Sequence, residues 1–252
     1  MKILLLSTYE LGRQPFGLVS PAAWLRKRGH TVVSLDLARQ SLDEKAVREA
    51  RLIAIYLPMH TATRLAIELL PWLRTQNSNA VLCCYGLYAP MNAAFLRTLG
   101  VTNILGGEFE KALAELADRL AIQDAYIIKD TDHLATASES STSLERLTFE
   151  VPDRAGLPPL AQYANLVMPG GAVRVVGSTE ASRGCKHLCR HCPIVPVYNG
   201  VFRIVQRDVV LEDIRRRSPP AHSTFLLVIP IFSTALVTRC NSWKCFIGNF
   251  PP

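Results

Sequence analysis

Three cysteines near residue 190 carry the clearest chemistry in the chain. The segment Glu180-Ala-Ser-Arg-Gly-Cys185-Lys-His-Leu-Cys189-Arg-His-Cys192-Pro has the spacing C-x3-C-x2-C. Three thiolates on one short loop can each ligate one iron of a cubane cluster, leaving the fourth iron open to a substrate or cofactor. Gly184 permits the tight backbone approach that such a loop needs. Cys and His are also ordinary zinc ligands, so His187 and His191 offer a zinc alternative, although both lie between the thiols and not at zinc-finger spacing. Unliganded thiols are the third alternative. Cys83 and Cys84 end an apolar run and read as core residues, whereas Cys240 and Cys245 fall in a C-terminal stretch of different texture.

The elements that must position this loop follow from hydrophobic patterning. Short runs rich in Val, Ile and Leu at residues 2–6, 31–35, 52–57, 80–83 and 102–105 predict buried strands. Between them, residues 20–28, 43–50, 62–74, 90–99 and 108–120 predict helices. Ser20 before Pro21 fits an N-cap with proline at the first helical position. Gly29 and Gly100 stand where glycines stop helices. Strands alternating with helices imply parallel pairing through right-handed crossovers, hence an α/β fold with an open, doubly wound parallel sheet over residues 1–120. Such a sheet binds ligands beyond the C-terminal ends of its strands. Residues 121–172 read as a linker, with a Ser/Thr-rich stretch at 136–143 and the turn-prone Leu157-Pro158-Pro159. A second unit starts near Val173, where Arg174-Val175-Val176 predicts a strand leading into the cysteine motif, and a helix follows at 208–216.

Composition excludes several classes. The 252 residues include 28 Lys+Arg and 21 Asp+Glu, for a net charge of +7, with 49% hydrophobic and 19% charged residues. That balance is incompatible with a disordered, collagen-like or long coiled-coil chain, and the length suffices for a real core. No apolar run reaches the roughly 18–20 residues of a membrane-spanning helix. Lys2 and the apolar residues 3–6 are too short for a secretory signal, so a cytoplasmic location is expected. Seven cysteines in that setting point to free thiols or metal ligands. Basic residues are scattered, with no cluster interleaved with aromatics, so neither nucleic acid nor a membrane is an expected partner.

The C-x3-C-x2-C motif preceded by Glu-x-Ser-Arg-Gly resembles the cluster loop of radical S-adenosylmethionine (radical SAM) enzymes. The resemblance implies a 4Fe-4S cluster held by Cys185, Cys189 and Cys192. It also implies S-adenosylmethionine chelated by the open iron and cleaved reductively to a 5′-deoxyadenosyl radical. An electron donor and a small-molecule substrate are its implied partners. His191 stands where the family often has an aromatic residue. The N-terminal unit is similar to the Rossmann-like cobalamin-binding domain fused ahead of many radical SAM cores. The matching segments run from Ser7 to Gly17, Leu57 to Thr63, Tyr85 to Pro90 and Gly106 to Glu110, each after a predicted strand. Carried over, cofactor contacts fall on Tyr9, Gly12, Gly17, His60, Thr61, Gly86, Tyr88, Gly107 and Glu108. The Asp-x-His-x-x-Gly motif that supplies an axial histidine elsewhere is absent, so His60 is expected near the cofactor but not on cobalt. The nearest likeness is to the branch described by a CUAEP or CCAEP tail, over residues 1–216. No residue of this chain is assigned a catalytic role.

From Arg217 onward the chain contains no Asp or Glu, and three of its seven net charges (Arg217, Arg239, Lys244) lie there. Synonymous codons exist that, read one base out of register from Arg217, encode a Gly-Asp-Pro-Asp turn and an amphipathic helix. Residues 217–252 are accordingly expected to be a frameshifted tail in which Cys240 and Cys245 have no evolved role. Residues 173–216 then supply only the start of a six-unit partial (β/α) barrel, and the chain as it stands is expected to be inactive. The alternatives are a non-catalytic cobalamin or small-ligand binding module and a zinc-binding interaction protein.

Overall fold

In the computed structural model, residues 1–127, 139–217, 224–228 and 235–238 are described. The first unit alternates strand and helix: β1 (Lys2–Ser7), α1 (Phe16–Lys27), β2 (Thr31–Asp36), α2 (Glu44–Glu49), β3 (Leu52–Tyr56) and α3 (His60–Gln76). It continues with β4 (Val81–Tyr85), α4 (Tyr88–Met91), α5 (Ala93–Thr98), β5 (Asn103–Gly107), α6 (Phe109–Ile127) and β6 (Glu139–Ser143). The six strands form one sheet in the order β2-β1-β3-β4-β5-β6, and every pair is parallel. Alternation along each strand sends its apolar side chains to both faces. Ile3, Leu5, Leu52 and Cys83 pack under α1 and α6, while Leu4, Leu6, Ile53 and Cys84 pack under α2 to α5. The predicted doubly wound α/β class is therefore the observed one.

Two local expectations are corrected. Helix α1 starts at Phe16, four residues before Ser20, with Pro15 at its cap. Pro21 sits inside it and cannot donate to the Gly17 carbonyl one turn earlier. The Tyr85 hydroxyl donates to that carbonyl instead, at 2.7 Å, so a residue of β4 satisfies the group that the proline orphans. Ser20 caps nothing, and its hydroxyl donates to Glu110 Oε1 at 2.6 Å. Secondly, the sheet does not end at residue 120. Helix α6 runs on to Ile127, and β6 adds a sixth parallel strand from within the stretch read as a linker. Gly29 and Gly100 do end helices, each at positive φ (80° and 84°), with the amide after it returning to the last turn.

The second unit comprises β7 (Asn165–Val167), β8 (Val173–Glu180), β9 (Ser182–Gly184), α7 (Val195–Tyr198), β10 (Phe202–Ile204), α8 (Arg207–Arg217), β11 (Thr224–Val228) and β12 (Ala235–Thr238). Strands β7 and β8 pair antiparallel, as do β9 and β10. Strand β8 is not left open on its other side: β11 runs parallel along it, from Thr224 beside Val176 to Val228 beside Glu180. The apolar Phe225-Leu-Leu-Val suits a strand, and the open edge of β8 supplies unpaired backbone groups to meet it. Cys240 and Cys245 lie outside the described residues. Among the described residues no helix is long and apolar enough to cross a membrane.

The two units share core. Leu147, Phe149 and Val205 form a buried cluster against Trp24 of α1 and Val209 of α8. Arg154 grips Asp213 of α8 through two hydrogen bonds of 2.9 and 2.7 Å, both side chains nearly enclosed.

Candidate functional site

All-parallel pairing places the loops after β1, β3, β4 and β5 at one edge of the sheet. The order β2-β1-β3 makes the gap between β1 and β3 the point where successive crossovers diverge, the usual ligand crevice of an open α/β sheet. The predicted contact residues gather here in two sets. Tyr9 and Gly12 are half-buried on the β1 loop, where the Gly12 carbonyl accepts from Ala164 N–H at 2.8 Å. His60 and Thr61 are exposed at the start of α3. Tyr88 is half-buried, with its backbone N–H held by the Leu57 carbonyl at 2.9 Å.

The other set is packed. Gly17 is buried in the first turn of α1, where an added Cβ would overlap the Tyr56 ring. Gly86, at φ 108°, lies against the same ring and the Leu57 carbonyl. Gly107, at φ 66°, has no room for a side chain beside the Ser143 carbonyl of β6. Glu108 is fully buried, and its N–H donates to that carbonyl at 2.7 Å.

Residues that pattern reading did not assign complete the edge. Arg183 of β9, two positions before Cys185, is buried among carboxylates from both units. It donates to Glu110 through two nitrogens (2.8 and 2.6 Å), to Glu180 at 2.9 Å and to Glu108 at 3.4 Å. Its guanidinium also lies over the rings of Phe109, Phe149 and Phe16, at 4.8, 5.1 and 5.8 Å. The Tyr198 hydroxyl donates to Glu108 at 3.2 Å. Burial opposes the charge on Arg183, but the carboxylates of Glu110, Glu180 and Glu108 outweigh it and hold the guanidinium protonated well beyond its ordinary range. Three acids around one cation cannot all ionise cheaply in a low dielectric. Burial accordingly raises Glu108 to about 7, only partly countered by Arg183, and also lifts Glu180. Glu10, on the β1 loop, is raised to about 8 by burial and by Glu180, and its Oε2 is buried with no hydrogen-bond partner. Glu180 and Arg183 were visible in the motif; Glu10 had no sequence signal beyond its place after the first strand.

The cysteine loop leaves this buried cluster for solvent. Gly184 is buried at φ 72°, and a Cβ there would collide with the Val201 carbonyl and the Tyr198 ring, so this turn has room only for glycine. Cys185 and Cys192 are half-buried, Cys189 is exposed, and all three are free thiols. The His187 N–H points at Cys185 Sγ, 3.4 Å away. His187 and His191 are exposed. Among the described residues, no three His, Cys, Asp or Glu side chains are drawn together as a metal-binding group. What fits a thiolate-ligated cluster is the donor set: three free thiols within eight residues, anchored at a glycine cradle, with an amide already directed at one sulfur.

No protein-family model matches the sequence, and no curated protein does. Among solved structures, TsrM from Kitasatospora setae is similar over 86% of this chain, at a TM-score of 0.56 and 16% identity. That protein is a radical S-adenosylmethionine methyltransferase, solved with its tryptophan substrate and an analogue of S-adenosylmethionine. The match covers 45% of TsrM, so this chain spans under half the length of that neighbour. A flavodoxin-like domain from Synechococcus sp. matches 50% of this chain and 96% of its own length, at 16% identity and a TM-score of 0.33. At these identities the TsrM likeness shows the fold: an α/β unit followed by a smaller unit of short strands.

Proposed function

We propose that this chain is an iron–sulfur protein of the radical SAM type carrying a cobalamin-binding α/β unit. The observation that carries the reading is the placement of the C-x3-C-x2-C loop. Through Arg183 its base is fastened to Glu110 just beyond β5, at the C-terminal edge of the sheet, the edge on which an open α/β sheet takes its ligand. The fold shared with TsrM, a radical S-adenosylmethionine methyltransferase, supports it. Cys185, Cys189 and Cys192 would hold a 4Fe-4S cluster, which when loaded supplies the electron for reductive cleavage of S-adenosylmethionine. The protein's own part is to present three thiols on a loop with a fixed base and to keep the carboxylates behind it out of water. Tyr9, Gly12, His60, Thr61 and Tyr88 border the crevice on the cobalamin side.

Anaerobic reconstitution with iron and sulfide tests the reading. About four irons per chain are expected, and Cys185→Ala, Cys189→Ala and Cys192→Ala should each abolish their retention. One tightly held zinc and no iron would favour a zinc protein, and equal iron loss on replacing Cys245 would overturn the three-thiol assignment. His60→Ala should leave the spectrum of bound cobalamin unchanged; loss of axial nitrogen coupling would show that His60 is a ligand after all. We further propose that residues 217–252 derive from a shifted reading frame. The coding DNA should then show the Gly-Asp-Pro-Asp segment one base out of register after the Arg216 codon, and its absence would sink this part.

A further inference from the structure

The geometry assigns to Arg183 the role of positioning residue for the cysteine loop, a clamp that ties the base of that loop to Glu108 and Glu110 at the C-terminal end of the sheet. The role deepens the reading of Cys185 as a cluster ligand, but it stands on contacts that exist without any metal. Arg183 is separated from Cys185 only by Gly184, whose positive φ and filled surroundings leave that joint little freedom. The fork of the guanidinium is spent on Glu110, and the remaining geometry is closed by Glu180 from β8 and Glu108 from the end of β5. Planar, bidentate pairing of this kind fixes orientation as well as distance, which a lysine ammonium cannot do.

The partners are themselves held. Glu110 also accepts the hydroxyl of Ser20 from α1, and Glu108 accepts that of Tyr198 from α7. Phe16, Phe109 and Phe149 pack over the guanidinium and exclude water, which strengthens its electrostatic contacts. Elements from both units thus converge on one side chain. Its removal would leave three carboxyl groups buried without their cation, a loss concentrated where the loop begins.

The test is native-state alkylation of the metal-free, reduced chain with iodoacetamide, resolved by peptide mass spectrometry. Cys83 and Cys84, buried on opposite faces of the sheet, serve as internal reporters of global opening. In the unaltered chain the half-buried Cys185 should react more slowly than the exposed Cys189. Arg183→Met should raise the Cys185 rate several-fold, towards that of Cys189, while Cys83 and Cys84 stay protected. Removing a nearby cation by itself slows a thiol, so acceleration reports exposure of the loop base. Arg183→Lys, which keeps the charge but not the fork, should restore only part of the protection. Glu110→Gln, nearly isosteric and less disruptive, should reproduce a smaller rise. Two results would overturn the assignment: an unchanged Cys185 rate in both the Arg183→Met and Glu110→Gln chains, or loss of protection at Cys83 and Cys84 in step with Cys185. Iron plays no part in this measurement, so failure to load a cluster would leave the clamp standing, and failure of the clamp would leave the three-thiol assignment to its own test.

Discussion

A buried carboxyl oxygen without a hydrogen-bond partner is a costly arrangement, and Glu10 Oε2 is one. The fold meets the cost by keeping the group protonated: burial, then Glu180, raise it to about 8 against an ordinary 4.5. The sign of the consequence follows from proton linkage. Between pH 4.5 and 8 the folded chain binds a proton at Glu10 that the unfolded chain has released, so this group's contribution to stability is full below 4.5 and is lost as pH rises through 8. Glu108, raised to about 7, works in the same direction over a narrower window. Glu10→Gln keeps the shape and removes the titration. It should therefore flatten the fall in stability between pH 5 and 9 and gain on the order of 2 kcal/mol over the parent at pH 9. Urea midpoints at the two pH values check this, and parallel pH profiles for parent and variant would show that Glu10 is ionised in the folded chain.

At the scale of elements, α1 shows how a helix can tolerate an internal proline through a distant residue. Tyr85→Phe keeps the ring of β4 in its packing with Tyr56 and Phe109 but leaves the Gly17 carbonyl without its donor. A loss of about 1–2 kcal/mol is expected in chemical denaturation; no change would mean that water or another group satisfies that carbonyl. The same contact explains what could and could not be read from sequence. The first five strands were legible because each is a short apolar run bounded by helical periodicity. Gly29 and Gly100 were legible because a helix stop is a local backbone requirement. Ser20-Pro21 misled, since a serine before a proline is a helix-start signal by local rules, whereas Tyr85, sixty-four positions beyond Pro21, permits the proline inside. Strand β6 was missed because Glu-Ser-Ser-Thr-Ser has no apolar alternation and lies at the sheet edge, where polar residues are tolerated. In the site, cysteine spacing announced the donor set, and Glu180 and Arg183 stood in the same motif. That Arg183 reaches back to Glu108 and Glu110, more than seventy residues earlier, is a tertiary fact with no local trace.

In the whole molecule the two units meet along α1 and around Glu108 and Glu110 beyond β5, so where the first unit can be cut bears on how β5 is held. Residues 1–120 contain five strands, but they stop within α6 and omit β6. Without β6 the backbone of β5 from Asn103 to Gly107 becomes an open edge. The Glu108 N–H loses the Ser143 carbonyl, and Gly106 and Gly107 lose the strand that fills the space beside them. These are the residues from which Glu108 and Glu110 reach Arg183, so the cut would loosen the partners of the clamp as well as the sheet. A fragment of residues 1–146 keeps β6 and the pairing of Lys111 with Glu145 at 2.8 Å, a surface contact of small energetic weight. Both fragments lack Arg183, so the clamp drops out of the comparison, which reports the sixth strand together with the end of α6. The longer fragment should unfold cooperatively, and the shorter one should be less stable by on the order of 3 kcal/mol, with its loss of amide protection concentrated in β5. Urea denaturation and hydrogen exchange measure both quantities. Equal midpoints, with β5 amides equally protected, would mean that β6 merely lies along a sheet already complete at residue 120, and that the base on which the cysteine loop is clamped ends with β5.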